Sequence, residues 1–145
     1  MPSVQSILDQ KQERVVSIAE DQTVLDAARL MNESRIGALV VTRGDRVVGI
    51  FTERDVLCRV VAAARDPAHT VMQDVMTSPV ACCTPQTTDD ECRAVMRTKR
   101  LRHLPVVDDD RLVGMVSIGD LQQITQTAQE KTIQYLYEYL YGDRV

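Results

Sequence analysis

Apolar residues recur along the chain with two different periods, and the change of period marks the elements. Val24, Ala27, Ala28 and Met31 fall three and four residues apart, with Asp26, Arg29 and Asn32 between them. That spacing places the apolar set on one face of a helix and predicts a helix over 23–34. The next apolar runs, 38–42 and 46–51, are short, rich in Val and Ile, and separated by Gly44-Asp45. Such runs on either side of a glycine turn predict a β-hairpin. A second helix is expected from Glu53, with Val56, Leu57, Val60, Val61 and Ala64 inward, and Asp66-Pro67 stops it because the residue before a proline is pushed out of helical geometry. Upstream, Val4, Ile7 and Leu8 mark a lead-in helix over 3–12, and 15–18 reads as a strand.

The same order then returns. A strand at 80–83 and a turn at Thr84-Pro85 precede a helix over 87–99 that buries Cys92, Val95 and Met96. A hairpin of 104–107 and 111–116 follows around Asp108-Asp109-Asp110, then a helix from Ile118 with Leu121, Ile124 and Ala128 inward. Single residues repeat as well. Val48-Gly49-Ile50-Phe51-Thr52-Glu53-Arg54-Asp55 matches Val113-Gly114-Met115-Val116-Ser117-Ile118-Gly119-Asp120 at a constant offset of 65 (114 − 49, and again 120 − 55). A unit of roughly 60 residues has a marginal core of its own, so two such units are expected to bury their apolar faces together. The predicted class is α/β (α+β): two pseudo-symmetric β-α-β-β-α repeats packed sheet to sheet, plus a C-terminal helix. The predicted division is a lead-in over 1–14, repeat 1 over 15–66, a linker over 67–79, repeat 2 over 80–128 and a helical tail over 129–145. In the tail, Ile133, Leu136, Tyr137, Leu140 and Tyr141 form a stripe with no counterpart in the first half. It either closes the domain's own core or packs on a second subunit.

Composition narrows the function. The 145 residues are 44% hydrophobic with one Phe and no Trp, so the core must be aliphatic, and the net charge of −4 lacks the basic footprint that nucleic acid or a membrane surface requires. Cys58, Cys82, Cys83 and Cys92 form no metal-ligand spacing and read as free thiols of a reducing cytoplasm. The first residues lack a signal-peptide apolar core and no apolar run is long enough to span a bilayer, so a cytoplasmic location is expected. Nucleotide-triphosphatase, dinucleotide, serine-hydrolase and zinc-protease motifs are all missing, so no enzyme activity is expected.

Both copies carry a hydroxyl and an acid where a helix begins, Thr52-x-x-Asp55 and Ser117-x-x-Asp120. Free N–H groups and the positive helix end gather there and suit a phosphate. A carboxylate one turn later suits the vicinal hydroxyls of a ribose. The same spacing is also a capping box, but its recurrence in register after a hairpin favours a ligand site. Arg97, Lys99, Arg100 and Arg102 form the dense basic patch, and Lys11 and Arg14 are further cations that either meet a phosphate or are solvated. Asp108-Asp109-Asp110 lacks the spacing and closing Glu of a calcium loop, so no dedicated metal site is expected, and a magnesium ion arriving with a bound polyphosphate is left open.

These strings, with Ile36-Gly37-Ala38-Leu39-Val40-Val41, Leu101-Arg102-His103-Leu104-Pro105-Val106-Val107-Asp108 and Met76-Thr77, resemble a tandem pair of CBS domains, also called a Bateman module. The resemblance implies two clefts between the repeats, which in this family commonly bind adenosine nucleotides. By that resemblance Asp120 would hold a ribose, with Ser117 and Gly119 near sugar and phosphate and Met115 lining a base pocket opposite Val16, Gly37 and Ala38. The second cleft would use Asp55, Thr52, Arg54 and Ile50 opposite Ala81, Arg102 and His103. The clefts are expected to differ, because Arg102 and His103 stand where the first repeat has Gly37 and Ala38. The expected function is a stand-alone regulatory module, a homodimer that binds AMP, ADP or ATP and modulates an effector protein in trans. The alternative is a ligand-free dimerisation or assembly module with vestigial clefts.

Overall fold

The two long helices inside the repeats start at equivalent hydroxyl caps. In the computed structural model, which describes residues 2–12 and 14–142 with the side chain of Thr127 excepted, helix α1 spans Val4–Lys11, α2 spans Val24–Ser34 and α5 spans Asp89–Lys99. Thr23 Oγ1 accepts from the Asp26 N–H while the Asp26 carboxylate accepts from the Thr23 N–H, and Thr88 and Glu91 do the same for α5. Both helices end at an arginine in the left-handed conformation, Arg35 and Arg100. Met1 and Glu13 of the expected lead-in and 143–145 of the expected tail lie outside the described residues.

Strand β1 (Ser17–Ala19) lies parallel to β2 (Ala38–Arg43), which pairs antiparallel with β3 (Arg46–Thr52). The second sheet is the hairpin of β4 (His103–Asp108) and β5 (Arg111–Ser117). Both hairpins carry an irregularity at the same place, after Val41 and after Val106. The strand expected at 80–83 shrinks to one residue: Cys83 donates to Pro105 O at 2.9 Å and accepts from Val107 N at 2.9 Å. Pro105 stands where the first repeat has Val40, whose N–H donates to Val16 O at 3.4 Å, and a proline has no N–H to extend the ladder. In the first repeat the strand begins two residues later than its hydropathy suggests.

Each repeat's core is completed by a segment from outside it. Val4 and Ile7 of α1 are buried with Cys83, Cys92, Met96, Leu104, Val106, Val116 and Leu121 of the second repeat. The expected linker contains a short helix, α4 (Met72–Val75), whose Met72 and Val75 are buried with Ile18, Val24, Met31, Leu39 and Phe51 of the first. The two crossings are matched: Ser3 bridges Thr88 as Val71 bridges Thr23. They also explain the repeated glycine. A Cβ on Gly49 would stand 2.5 Å from Met76 Sδ and 3.0 Å from Thr77 O, and one on Gly114 would stand 2.6 Å from Leu8 Cδ2. The crossing segment lies directly on the strand, and only hydrogen fits between them.

Two helices depart from expectation. After β3, α3 (Glu53–Asp55) passes into a π-helical turn over Val56–Val61, with Ala62 N–H bonded to Leu57 O and Arg65 N–H to Val60 O. The wider winding buries Val60 but leaves Leu57 62% and Val61 64% exposed, and Ala64 is exposed as well. Helix α6 (Ile118–Tyr141) runs unbroken for 24 residues through the expected boundary between repeat and tail. Leu121 is buried and Ile124 half-buried, but Ala128 and the apolar residues beyond it are exposed. The tail stripe therefore does not close the core to which α6 belongs. Of the four thiols, Cys83 and Cys92 are buried and Cys58 and Cys82 are exposed.

Candidate functional site

Both hydroxyl–acid pairs form true caps, so each aspartate is held at the first turn of its helix. Ser117 N–H donates to Asp120 Oδ2 at 2.8 Å, and the Asp120 N–H donates to Ser117 Oγ at 3.1 Å. Thr52 N–H donates to Asp55 Oδ2 at 2.9 Å, and the Asp55 N–H donates to Thr52 Oγ1 at 3.4 Å. The entry to each helix is secured by the same carbonyl of the preceding loop: Gly37 O accepts from Glu53 N at 3.0 Å and Arg102 O from Ile118 N at 2.8 Å.

Beyond the cap the two ends diverge. Asp120 faces a cavity of about 330 Å³ whose walls come from both repeats: Val16, Gly37 and Ala38 from the first, His103, Met115, Ser117 and Asp120 from the second, with Lys11 and Arg14 from the lead-in. That volume lies at the small end of ligand sites. Lys11 Nζ donates to Asp120 Oδ2 at 3.0 Å and to Met115 O at 3.1 Å. His103, half-buried on this wall, has its pKa lowered, first by burial and then by the positive charge of Lys11, so it stands neutral near pH 7.

At the other end Asp55 is 7% exposed and its carboxylate is fully engaged. Besides the cap, Thr52 Oγ1 donates to Oδ2 at 3.3 Å and Thr77 Oγ1 to Oδ1 at 3.2 Å, and Arg59 Nε lies 3.5 Å from Oδ1. Thr77 also pairs its backbone with Ile50 in both directions, at 3.1 and 2.9 Å, which seals Ile50 beneath it. Arg54 and Arg102 are exposed, and Ala81 packs against the second core.

The residues expected in the Asp120 cleft thus come together, apart from Gly119, which is exposed at the start of α6 and outside the cavity wall. His103, expected opposite Asp55, lines the Asp120 cavity instead. Its counterpart Ala38, which sits across its own hairpin from Thr52, lines the same cavity, so this wall carries the equivalent residue of both repeats. The Lys11–Asp120 pair spans 109 positions, and no local motif signals it. Among the described residues no group of three or more His, Cys, Asp or Glu is placed to hold a metal ion, and no helix is long and apolar enough to cross a membrane.

The model of the family described as CBS domain matches twice, at residues 7–62 and 71–124. The chain belongs to the CBS-domain family. Both matches take in the crossings: the first begins within α1 and the second within the α4 segment. Among relatives of this CBS pair, the mitochondrial CBS domain-containing protein CBSX3 of Arabidopsis thaliana is 35% identical over 84% of this chain, which spans 62% of that protein's length. The CBS domain-containing protein YhcV of Bacillus subtilis is 32% identical over 80% of this chain and 82% of its own. A CBS-domain protein of Burkholderia ambifaria, provisionally described as acting in signal transduction, has a solved structure with a TM-score of 0.77 at 34% identity, covering 99% of this chain and 97% of that one. These likenesses agree on a tandem pair of CBS domains.

Proposed function

We propose that this CBS pair binds an adenosine nucleotide of the AMP, ADP or ATP class in the Asp120 cleft and signals its occupancy to an effector protein. The observation that carries this reading is the shared cavity: one wall from each repeat, a carboxylate, a helix start and cations around a single space. Asp120 suits the two ribose hydroxyls. The N-terminus of α6, with Ser117, Lys11 and Arg14, suits a phosphate. Val16, Ala38 and Met115 supply apolar contact for a base. Because the walls belong to different repeats, a ligand bridging them favours one relative arrangement, and the regulatory work equals its difference in affinity between arrangements. The Asp55 end, whose carboxylate is already satisfied, serves as structure. A magnesium ion would come only on the phosphates of a di- or triphosphate.

Thermal shift with AMP, ADP, ATP, NAD(H) and S-adenosylmethionine tests the reading. A ligand at 100 times its Kd adds about 2.7 kcal/mol of stability. The shift is expected with an adenosine nucleotide, to vanish in Asp120→Ala and to survive in Asp55→Ala. Absence of a shift with every compound rejects the reading.

A second reading, self-assembly, is favoured by the exposed apolar stripe of α6, where Leu136 is 51% and Leu140 67% exposed, and by the exposed Leu57 and Val61. A second copy covering these faces would make the homodimer, and it is compatible with nucleotide binding. Sedimentation of Leu136→Glu beside the parent chain separates a dimer built on the tail from one built elsewhere.

A further inference from the structure

We infer that Lys11 is a counter-ion gate which makes the cleft select a phosphorylated nucleoside over the bare nucleoside. This rests on the nucleotide reading above and adds a rule for entry. Lys11 Nζ sits 3.0 Å from Asp120 Oδ2 and 3.1 Å from Met115 O, on the carboxylate that the ribose would need and beside the strand that would flank the base. The side chains are 26% and 18% exposed, so the pair is partly shielded from water. Separating such a pair leaves each ion poorly compensated unless a new partner takes its place.

A nucleoside offers Asp120 two hydroxyls but offers Lys11 nothing. To bind, it must part the ammonium from Asp120 beside Arg14 and His103, with Glu53, behind Gly37, as the other carboxylate near this wall. A nucleotide brings its own anion. Its phosphate receives Lys11 as the ribose takes Asp120, and the charge balance of the cavity is kept. The transfer needs only a side-chain swing. Val4 and Ile7 fix α1 in the second core, while Lys11 is the helix's last residue, on a flexible four-carbon stem. Lys11 and Asp120 also both line a groove of about 450 Å³ between α1 and α6, which gives the lysine side chain room to move.

The test is calorimetric titration of the full chain with adenosine and with AMP, in the parent, in Lys11→Met and in Lys11→Arg. Methionine keeps the stem's bulk without the charge. The gate predicts that the parent prefers AMP, and that in Lys11→Met adenosine binds more tightly and AMP more weakly, so the AMP/adenosine ratio falls by about tenfold or more. Lys11→Arg retains the preference. Adenosine binding to Lys11→Met but not to the parent also supports the gate. Equal weakening of both ligands, or an unchanged ratio, overturns the gate and leaves the nucleotide reading standing. No binding of either ligand to any of the three proteins overturns the nucleotide reading and the gate together.

Discussion

The Asp55 and Asp120 ends begin as copies and finish as opposites. Each has a hydroxyl cap, an acid three residues on and a loop carbonyl behind it, all at the offset of 65. What differs is the segment that crosses over from the other side. After α4 the chain turns extended at Met76 and Thr77 and pairs with Ile50, so backbone and hydroxyl close over Asp55. The lead-in stays helical past Leu8 to Lys11, so only a side chain reaches Asp120 and a cavity remains. The acid's own helix differs too: Arg59 beside Asp55 becomes Ile124 at the equivalent place, and the cation comes instead from α1. Duplication copied the cap, and the crossing segment determines which cap keeps a cavity beside it.

The largest expected break in that comparison is in stability. Asp55→Ala removes the acceptor for Thr52, Thr77 and Arg59 at once and should cost about 3 kcal/mol in urea unfolding. Asp120→Ala removes a partly exposed cap and ion pair and should cost about 1 kcal/mol while abolishing ligand binding. Equal costs would mean that the two ends are not divided into structure and site.

Much of this was readable from the chain, and the parts that were not share a cause. The offset of 65 and the helical spacing of Val24, Ala27 and Met31 gave the repeats, the hairpins and the caps, because these are local patterns. Periodicity shows that Val4 and Ile7 need burial but not that the second repeat buries them. It likewise marks Leu57 and Val61 as apolar without revealing the π-turn that exposes them. The lost strand at 80–83 did have a signal, Pro105, which becomes legible only once that residue is known to face Cys83. His103, expected opposite Asp55, lines the Asp120 cavity together with its counterpart Ala38, and no local pattern signals that both copies share one wall.

A smaller effect sharpens the comparison at the strands. Gly49→Ala drives its methyl toward the Thr77 carbonyl as well as the Met76 thioether, whereas Gly114→Ala meets only the tip of Leu8. A backbone carbonyl held in a bridge cannot retreat as a leucine methyl can. Gly49→Ala should therefore cost about 2 kcal/mol and Gly114→Ala about 1 kcal/mol by thermal unfolding. The reverse order would show that the first crossing is the looser one.

The smallest effect is in pH, and it belongs to the Asp120 end alone, since the counterpart of His103 in the first repeat is Ala38. Burial, Lys11 and Arg102 lower the pKa of His103, while Asp120 and Glu53 pull the other way without reversing the shift. The unfolded chain protonates this imidazole near its ordinary value of 6.5, and the folded chain does so only at lower pH. Between those two values the unfolded state holds more protons, so stability falls as pH drops below about 6.5 and levels off below the folded value. His103→Gln should remove that contribution, so the parent's advantage over it shrinks as the pH falls from 7 toward 5. Lys11→Met should shrink it less, because one of the lowering charges is gone but the burial remains. A parent whose advantage grows toward acid pH would place a carboxylate, and not Lys11, as the dominant charge on this wall.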